Sequence, residues 1–307
     1  MERLAGVEAV ALAGREWPHR TVRLDGVELC VREVPDAAED AEPVLFVHGL
    51  GGSSLNFTAI GLLLADTVRG IAVDLPGFGQ SAPRDAPGGI TEYAELLARF
   101  IDAEIGKPVH LFGNSMGGAI AVRLAARRPD MVRTLTLVSP ALPDQRPRAV
   151  AAYFVGLSTP RLGAAILHRN AKVPFERRMR LGLSLIFGDH HLLPPELITS
   201  YEAELRRRDA LPWVEEALLA GARSIVAATV ALPRRSLWAE AARITCPVLL
   251  VYGGRDKLVD ARIRNRAQAA FPHARLLYLP TSGHVSQIEY PAEVATAFRE
   301  LIDADQL

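Results

Sequence analysis

The stretch VHLFGNSMGGAIAV, residues 109–122, places a lone serine between an apolar run and a series of small residues. The apolar run, residues 109–114, is typical of a buried strand. Residues 117–128 show a helical pattern that Pro129 ends. Ser115 is therefore predicted to lie at the point where a strand turns into a helix.

Glycines flank this serine in a G-x-S-x-G arrangement, which presents a nucleophilic serine when it follows a strand and opens a helix. The turn forces Ser115 towards unfavourable backbone angles and lifts its hydroxyl clear of the sheet, and Gly113 and Gly117 leave room for it. The N-terminus of the following helix adds partial positive charge where an oxyanion would form. We predict that Ser115 is a nucleophile; the alternative is a serine that only fills a tight turn.

Apolar runs alternate with helical patterns along most of the chain. A hairpin is predicted in residues 21–34, around Asp25-Gly26. The runs typical of buried parallel strands are VLFVHG (44–49), GIAVDLP (70–76), VHLFGN (109–114), TLTLVSP (134–140), PVLLVYGG (247–254) and ARLLYLP (274–280). Such strands, alternating with helices after an antiparallel start, predict an α/β protein with a mostly parallel sheet.

Residues 142–245 break this alternation, because they contain helical stretches interrupted by prolines and no good strand. Apolar residues recur on one helical face in two segments, at Phe175, Met179, Leu183 and Ile186 and at Leu197, Tyr201 and Leu205. A long helical segment between two strands of one sheet predicts an insertion into a single domain. We therefore assign residues 1–141 and 246–307 to a core and residues 142–245 to a helical insertion.

A serine hydroxyl needs a base, and the base must itself be oriented. His284 follows Gly283 after the last predicted strand, and Asp256 follows the strand before it, so both are expected at the same sheet edge as Ser115. The chain order serine, aspartate, histidine is that of the nucleophile-elbow architecture. Asp144 is a second candidate for the acid, since it also follows a predicted strand.

The glycine-rich segment VHGLGGSS, residues 47–54, is predicted to complete the site. An oxyanion needs two backbone donors, and the N–H groups of Leu50 and Met116 can supply them. No Lys-Ser or Lys-Thr pair follows the glycines, which argues against a phosphate-binding loop. We expect His48 to hold this loop in place, not to react.

Composition narrows the class of function. The chain has 307 residues, with 35 Lys and Arg against 35 Asp and Glu, so it lacks the basic excess of a nucleic-acid-binding protein. No stretch approaches the ~18 apolar residues of a membrane span, and Glu8 interrupts the N-terminal apolar run, so we expect a cytoplasmic protein. His190-His191 has no spaced third ligand, and neither a metal nor a cofactor is expected.

Several segments together resemble the α/β-hydrolase family over nearly the whole chain. They are His48-Gly49, residues 74–81, residues 113–118, residues 253–256 and Gly283-His284. The resemblance implies an eight-stranded, mostly parallel sheet with a helical cap, residues 142–245, after the sixth strand. It also implies catalytic and oxyanion-hole roles for a set of residues: Ser115 as nucleophile, Asp256 as acid, His284 as base, and Leu50 and Met116 as oxyanion donors.

Departures from the family's patterns narrow the activity. Epoxide hydrolases and haloalkane dehalogenases carry an aspartate where this chain has Ser115. Serine hydrolases that cleave carbon–carbon bonds in ring-fission products usually have Gly-Pro-Gly after His-Gly and tryptophan after the histidine, whereas this chain has Gly49-Leu50-Gly51-Gly52 and Val285. We predict a carboxylic-ester hydrolase whose substrate is a small to medium apolar ester. A carbon–carbon hydrolase, a haloperoxidase or perhydrolase, and a receptor-like ligand-binding protein are the alternatives.

Overall fold

Eight strands form one sheet in the computed structural model, which describes residues 17–35, 37, 41–84, 88–144 and 149–305. The strands are β1 (His19–Leu24), β2 (Val27–Glu33), β3 (Glu42–Val47), β4 (Val68–Val73), β5 (Val109–Asn114), β6 (Val132–Val138), β7 (Val248–Gly253) and β8 (Arg275–Leu279). Their order is β1-β2-β4-β3-β5-β6-β7-β8. β2 is antiparallel to both neighbours and the other pairs are parallel, which confirms the predicted sheet.

The hairpin at the start of the sheet forms as predicted. β1 and β2 pair from His19 opposite Arg32 to Leu24 opposite Val27. The two residues between them have positive φ, 51° at Asp25 and 76° at Gly26. This is the backbone of a two-residue turn whose twist matches that of the strands.

Helices cover both faces of the sheet. They are α1 (Thr58–Leu63), α2 (Ile90–Phe100), α3 (Met116–Arg127), α4 (Ala149–Ser158), α5 (Leu162–Ala171), α6 (Phe175–Ile186), α7 (Pro195–Asp209), α8 (Val214–Thr229), α9 (Leu237–Ala241), α10 (Arg264–Ala270), α11 (Ser286–Glu289) and α12 (Pro291–Asp305). Shorter helical turns occur at Ser54–Phe57, Ile101–Ile105, Pro129–Met131, His190–Leu192, Pro233–Arg235 and Ala261–Ile263. Within the described residues, no helix is both long and apolar enough to cross a membrane. The N-terminal run around Glu8 lies outside those residues.

The central strands are apolar on both sides because they divide two hydrophobic cores. In β3, Val44 and Phe46 point into the core beneath α1 and α12, and Leu45 and Val47 point into the core beneath α2 and α3. All four side chains are fully buried. A strand with a helix layer on each face needs this continuous apolar run, so the sequence pattern of a buried parallel strand is explained.

The described part of the chain between β6 and β7 contains helices α4 to α9 and no strand. The apolar faces predicted for α6 and α7 pack together there, with Leu183, Leu197 and Phe187 buried in one small cluster. Val285, which follows His284 in the chain, belongs to the same cluster. The inserted helices therefore rest directly on the loop that carries the predicted base.

A buried ion pair joins α9 to α3. Arg123 of α3 donates through Nε to both carboxylate oxygens of Glu240 on α9, at 3.1 and 3.0 Å. Its Nη1 donates to Thr91 of α2 at 2.8 Å. Both charged side chains are almost completely buried. Three helices that are far apart in sequence are thus fixed by one guanidinium group.

Removing one partner of this pair should destabilise the fold. Glu240→Ala leaves the Arg123 charge buried without a carboxylate, so we expect the free energy of unfolding to fall by about 3 kcal/mol in urea denaturation. The double variant Arg123→Met/Glu240→Leu removes both charges, so its free energy of unfolding should fall by less than that of Glu240→Ala. Glu28→Ala, which breaks an exposed pair with Arg23, is the control and should cost less than about 1 kcal/mol. Equal losses for Glu240→Ala and Glu28→Ala would contradict this account.

Candidate active site

Ser115 lies at the sharp turn between β5 and α3, as predicted. Its φ is 56° and its ψ is −118°, outside the regions that residues with a side chain normally occupy. Its backbone N–H donates to the carbonyl of Val138 at the end of β6, at 3.0 Å. The neighbouring strand therefore helps to hold a backbone conformation that is strained by itself.

Gly117 allows the start of α3 to approach the end of β3. A Cβ atom at this position would lie 2.1 Å from the carbonyl oxygen of Val47 and 2.6 Å from that of His48. No side chain fits there, because both contacts are with backbone atoms. The close approach brings the N-terminus of α3, with Met116, beside the loop that begins at His48.

The structure brings His284 and Asp256 into direct contact. His284 Nδ1 lies 2.9 Å from Asp256 Oδ2, and both side chains are buried. The other carboxylate oxygen accepts the backbone N–H groups of Leu258 at 2.8 Å and Val259 at 2.9 Å. Asp256 can therefore hold the imidazole with Nδ1 protonated and Nε2 free to take up a proton.

The pKa of Asp256 is lower than that of an ordinary aspartate. Burial alone would raise it, but the charge of His284 and the hydrogen bonds to His284 and Val259 outweigh burial. The carboxylate is therefore ionised at neutral pH. Asp144, the second candidate for the acid, lies along the wall of a cavity that Ser115 and His284 also line.

Asn114 and Glu289 support the histidine loop, and the sequence pattern predicted a role for neither residue. Asn114 donates through Nδ2 to the carbonyls of Val138 and His284, both at 3.1 Å, which ties the serine strand to the histidine. Glu289 accepts the N–H of Gly283 at 2.6 Å and that of Gly188, after α6, at 2.8 Å. The sequence feature that could have indicated Glu289 is its position five residues after the predicted base, in the segment VSQIEY (285–290).

Gly283 allows the end of α6 to pack against the histidine loop. A Cβ atom there would lie 2.5 Å from both the nitrogen of Gly188 and the carbonyl oxygen of Ile186. The backbone N–H of His284 donates to this same Ile186 carbonyl at 2.7 Å. The position of the imidazole thus depends on the insertion as well as on the core.

The loop after β3 contains Leu50, one of the two predicted oxyanion donors, and His48. Within the described residues, the N–H groups of Leu50 and Met116 donate to no protein acceptor, so both are available to a ligand. His48 is buried between the carbonyl of Gly49, 2.8 Å from Nδ1, and the N–H of Leu75, 2.9 Å from Nε2. Burial lowers the pKa of His48, so the ring is neutral and holds two loops together.

Two cavities open at Ser115 and His284. The larger has a volume of about 330 Å³, and its wall is mainly apolar, with Phe154, Ile225 and Val226 from the inserted helices. The smaller, of about 170 Å³, follows the loop of Leu50 and is lined also by charged side chains of α7. His190 and His191 lie elsewhere, with ring centroids 4.1 Å apart, and no group of three possible metal ligands occurs among the described residues.

The backbone strain at Ser115 should lower the free energy of unfolding by a measurable amount. Glycine tolerates positive φ, whereas alanine carries the same Cβ as serine, so Ser115→Gly should be at least about 1 kcal/mol more stable than Ser115→Ala in urea unfolding. Position 180, exposed in the middle of α6, is the control, because there the alanine variant should be more stable than the glycine variant by about 1 kcal/mol. The same order at both positions would argue against strain.

Glu289 should make stability depend on pH. Burial raises the pKa of its carboxyl group, although the hydrogen bonds from Gly188 and Gly283 act in the opposite direction. Folding therefore favours the protonated form of Glu289, which stabilises the protein at low pH. This stabilisation is lost as the pH rises from the ordinary glutamate pKa of ~4.3 through the higher pKa of the folded state. Asp256 has the opposite sign and acts at lower pH, because its pKa is lowered.

Glu289→Gln cannot titrate, so it isolates this contribution. Across the window above pH ~4.3, the wild-type protein should become less stable relative to the variant as pH rises. Urea unfolding of both proteins at a series of pH values measures the difference in free energy. A difference that stays constant with pH would contradict the raised pKa.

Comparison with known proteins shows the family of the chain. Residues 42–291 match the family described by the alpha/beta hydrolase fold. The dihydrolipoyllysine-residue acetyltransferase component of the acetoin cleaving system of Cupriavidus necator is 32% identical over 252 residues, which are 81% of this chain and 60% of that protein. The chain thus spans about three fifths of the length of that relative.

Two further proteins align over almost their full length. The pimeloyl-[acyl-carrier protein] methyl ester esterase of Neisseria meningitidis is 29% identical over 272 residues, 89% of this chain and 96% of the esterase. The crystal structure of a bacterial membrane phospholipase A has a TM-score of 0.74 and 26% identity, covering 99% of this chain and 92% of the phospholipase. With the family match over most of its length, the chain belongs to the α/β-hydrolase family.

Proposed function

We propose that this protein is a carboxylic-ester hydrolase that acts through an acyl-serine intermediate. The observation that carries the proposal is that Ser115 and His284 line the same two cavities while His284 is hydrogen-bonded to the buried Asp256. The esterase from Neisseria meningitidis, which aligns over nearly its whole length, supports the choice of an ester.

In the first half of the reaction, Nε2 of His284 takes the proton of the Ser115 hydroxyl as the oxygen attacks the ester carbonyl. The carbonyl electrons move to oxygen, and the N–H groups of Leu50 and Met116 stabilise the oxyanion by ~3 kcal/mol each. When the intermediate collapses, the alkoxide leaves and takes the proton from Nε2. The acyl group stays on Ser115.

In the second half, water replaces the alcohol. His284 removes a proton from the water as it attacks the acyl-serine, and the same two N–H groups hold the second oxyanion. Collapse returns the proton to Ser115 Oγ and releases the acid. The ionised Asp256 stabilises the imidazolium that forms in each half and keeps Nε2 directed at the serine.

Residues 142–245 act in this proposal as a cap that shapes the substrate pocket. Phe154, Ile225 and Val226 belong to these residues and line the larger cavity next to Ser115. Its volume of about 330 Å³ and mainly apolar wall suit a small to medium apolar chain. Val155 and Val230 line the same cavity and are 52% and 74% exposed. The apolar chain of the substrate can therefore enter the cavity from solvent at this end.

The proposal predicts a burst with p-nitrophenyl butyrate. Acylation should release about one equivalent of p-nitrophenol per enzyme, followed by a slower steady rate, because water must then cleave the acyl-serine. Ser115→Ala should lose both phases and retain the stability of the fold. Stopped-flow absorbance measures the burst, and mass spectrometry measures the acyl adduct on the serine.

Ser184→Ala is the matched control. This serine lies on α6, and its hydroxyl donates to a carbonyl of the same helix, so both phases should persist. Undiminished turnover by Ser115→Ala would overturn the assignment of the nucleophile. A burst without later turnover would contradict the hydrolase and favour a receptor-like ligand-binding protein. The absence of both phases from the wild-type protein would exclude an esterase that acts on short acyl chains.

A further inference from the structure

The smaller cavity beside Ser115 contains an arginine whose charge is not balanced. Three consecutive arginines end α7. Arg206 pairs with Glu202 at 2.8 Å and Arg207 with Glu204 at 2.5 Å. Arg208, the one that lines the cavity with Ser115 and His284, forms no ion pair with a carboxylate in the part of the chain that the structure describes.

The contacts of Arg208 leave most of its donors unused. Nη1 donates to the carbonyl of Gly51 at 3.2 Å, which places the guanidinium against the loop that contains Leu50. Nε is buried and has no hydrogen-bond partner among the described residues. Because Nε is buried, the donors of Arg208 that can reach an acceptor in the cavity are the remaining N–H groups of its two Nη atoms.

Glu204 also lines this cavity, but it does not neutralise Arg208. Both of its carboxylate oxygens already accept hydrogen bonds from Arg207, at 2.9 Å from Nε and 2.5 Å from Nη2. The three side chains together carry one net positive charge. Glu204 and Arg207 thus form a pair of their own, and the charge of Arg208 faces the smaller cavity without a carboxylate partner among the described residues.

We infer that the smaller cavity is a subsite for an anionic oxygen group of the substrate and that Arg208 binds this group. A planar guanidinium presents parallel N–H donors that match a carboxylate or a phosphate. The substrate would then be an ester with an apolar part in the larger cavity and an anionic group on the other side of the scissile bond. This inference rests on the proposed ester hydrolysis, which it narrows to one class of ester.

Three p-nitrophenyl esters of equal chain length test the inference: those of adipic acid, of 5-phosphonopentanoic acid and of adipamic acid. They end in a carboxylate, a phosphonate and a neutral amide. For the wild-type protein, kcat/KM should be about 10- to 100-fold higher for at least one anionic ester than for the amide, mainly through KM, as a charged hydrogen bond requires. The preferred anion distinguishes a carboxylate from a phosphate.

Substitution of Arg208 should then abolish the preference. Arg208→Gln should bring the ratio of anionic to neutral ester close to one, and Arg208→Lys should restore part of it. Arg180→Gln removes the same charge from an exposed position of α6 and should leave the ratio unchanged. A wild-type ratio near one overturns the inference. An equal decrease in kcat/KM for all three esters in Arg208→Gln also overturns the inference, because that is the effect expected of a residue that only supports the Gly51 loop.

Failure of the proposed function has a different signature. If wild-type protein hydrolyses none of the esters, binding of adipamate and of neutral adipamide to the Ser115→Ala protein is measured by calorimetry. Tighter binding of adipamate that Arg208→Gln removes would support the anionic subsite without ester hydrolysis. Equal binding of both compounds, or of neither, overturns it.

Discussion

The hydrogen bond between His284 and Asp256 is the interaction on which the geometry of the site depends. It joins the loops after β7 and β8, and it persists in a buried setting because the second oxygen of Asp256 is satisfied by two backbone N–H groups. A buried carboxylate without those donors would take up a proton. Since β5, β7 and β8 are parallel, their carboxyl ends meet at one edge, and Ser115 reaches the same place from a third strand.

The loop that carries His284 is not supported by the core alone. Ile186 accepts its backbone N–H, Gly188 packs on Gly283, and Glu289 bonds to both glycine nitrogens. The end of α6 is therefore part of the structure that orients the imidazole. A displacement of the inserted helices at this point would move the histidine as well as the wall of the pocket, which couples the shape of the pocket to the position of the proposed base.

Ser115 shows how stability and reactivity oppose each other in this fold. Its positive φ costs folding free energy, yet the same turn lifts the hydroxyl away from the sheet and leaves the N–H of Met116 without an acceptor among the described residues. Both features suit an oxyanion formed at the serine. Arg208 follows the same principle in the proposed subsite, because its guanidinium forms no ion pair among the described residues and would gain one only when an anionic group binds.

Local sequence pattern was enough to predict the alternation of strands and helices, the hairpin at Asp25-Gly26 and the strand–turn–helix setting of Ser115. These features depend on residues that are close together in the chain, so their periodicity and turn residues can be recognised without a structure. Chain order also indicated Asp256 and His284, although Asp144 stayed a candidate for the acid. Only the tertiary structure placed Asp256 at Nδ1 of His284, Glu289 between two glycine loops, and Arg208 beside the serine. Those contacts join segments separated by tens to more than a hundred residues, and local pattern carries no information about which distant segments will meet.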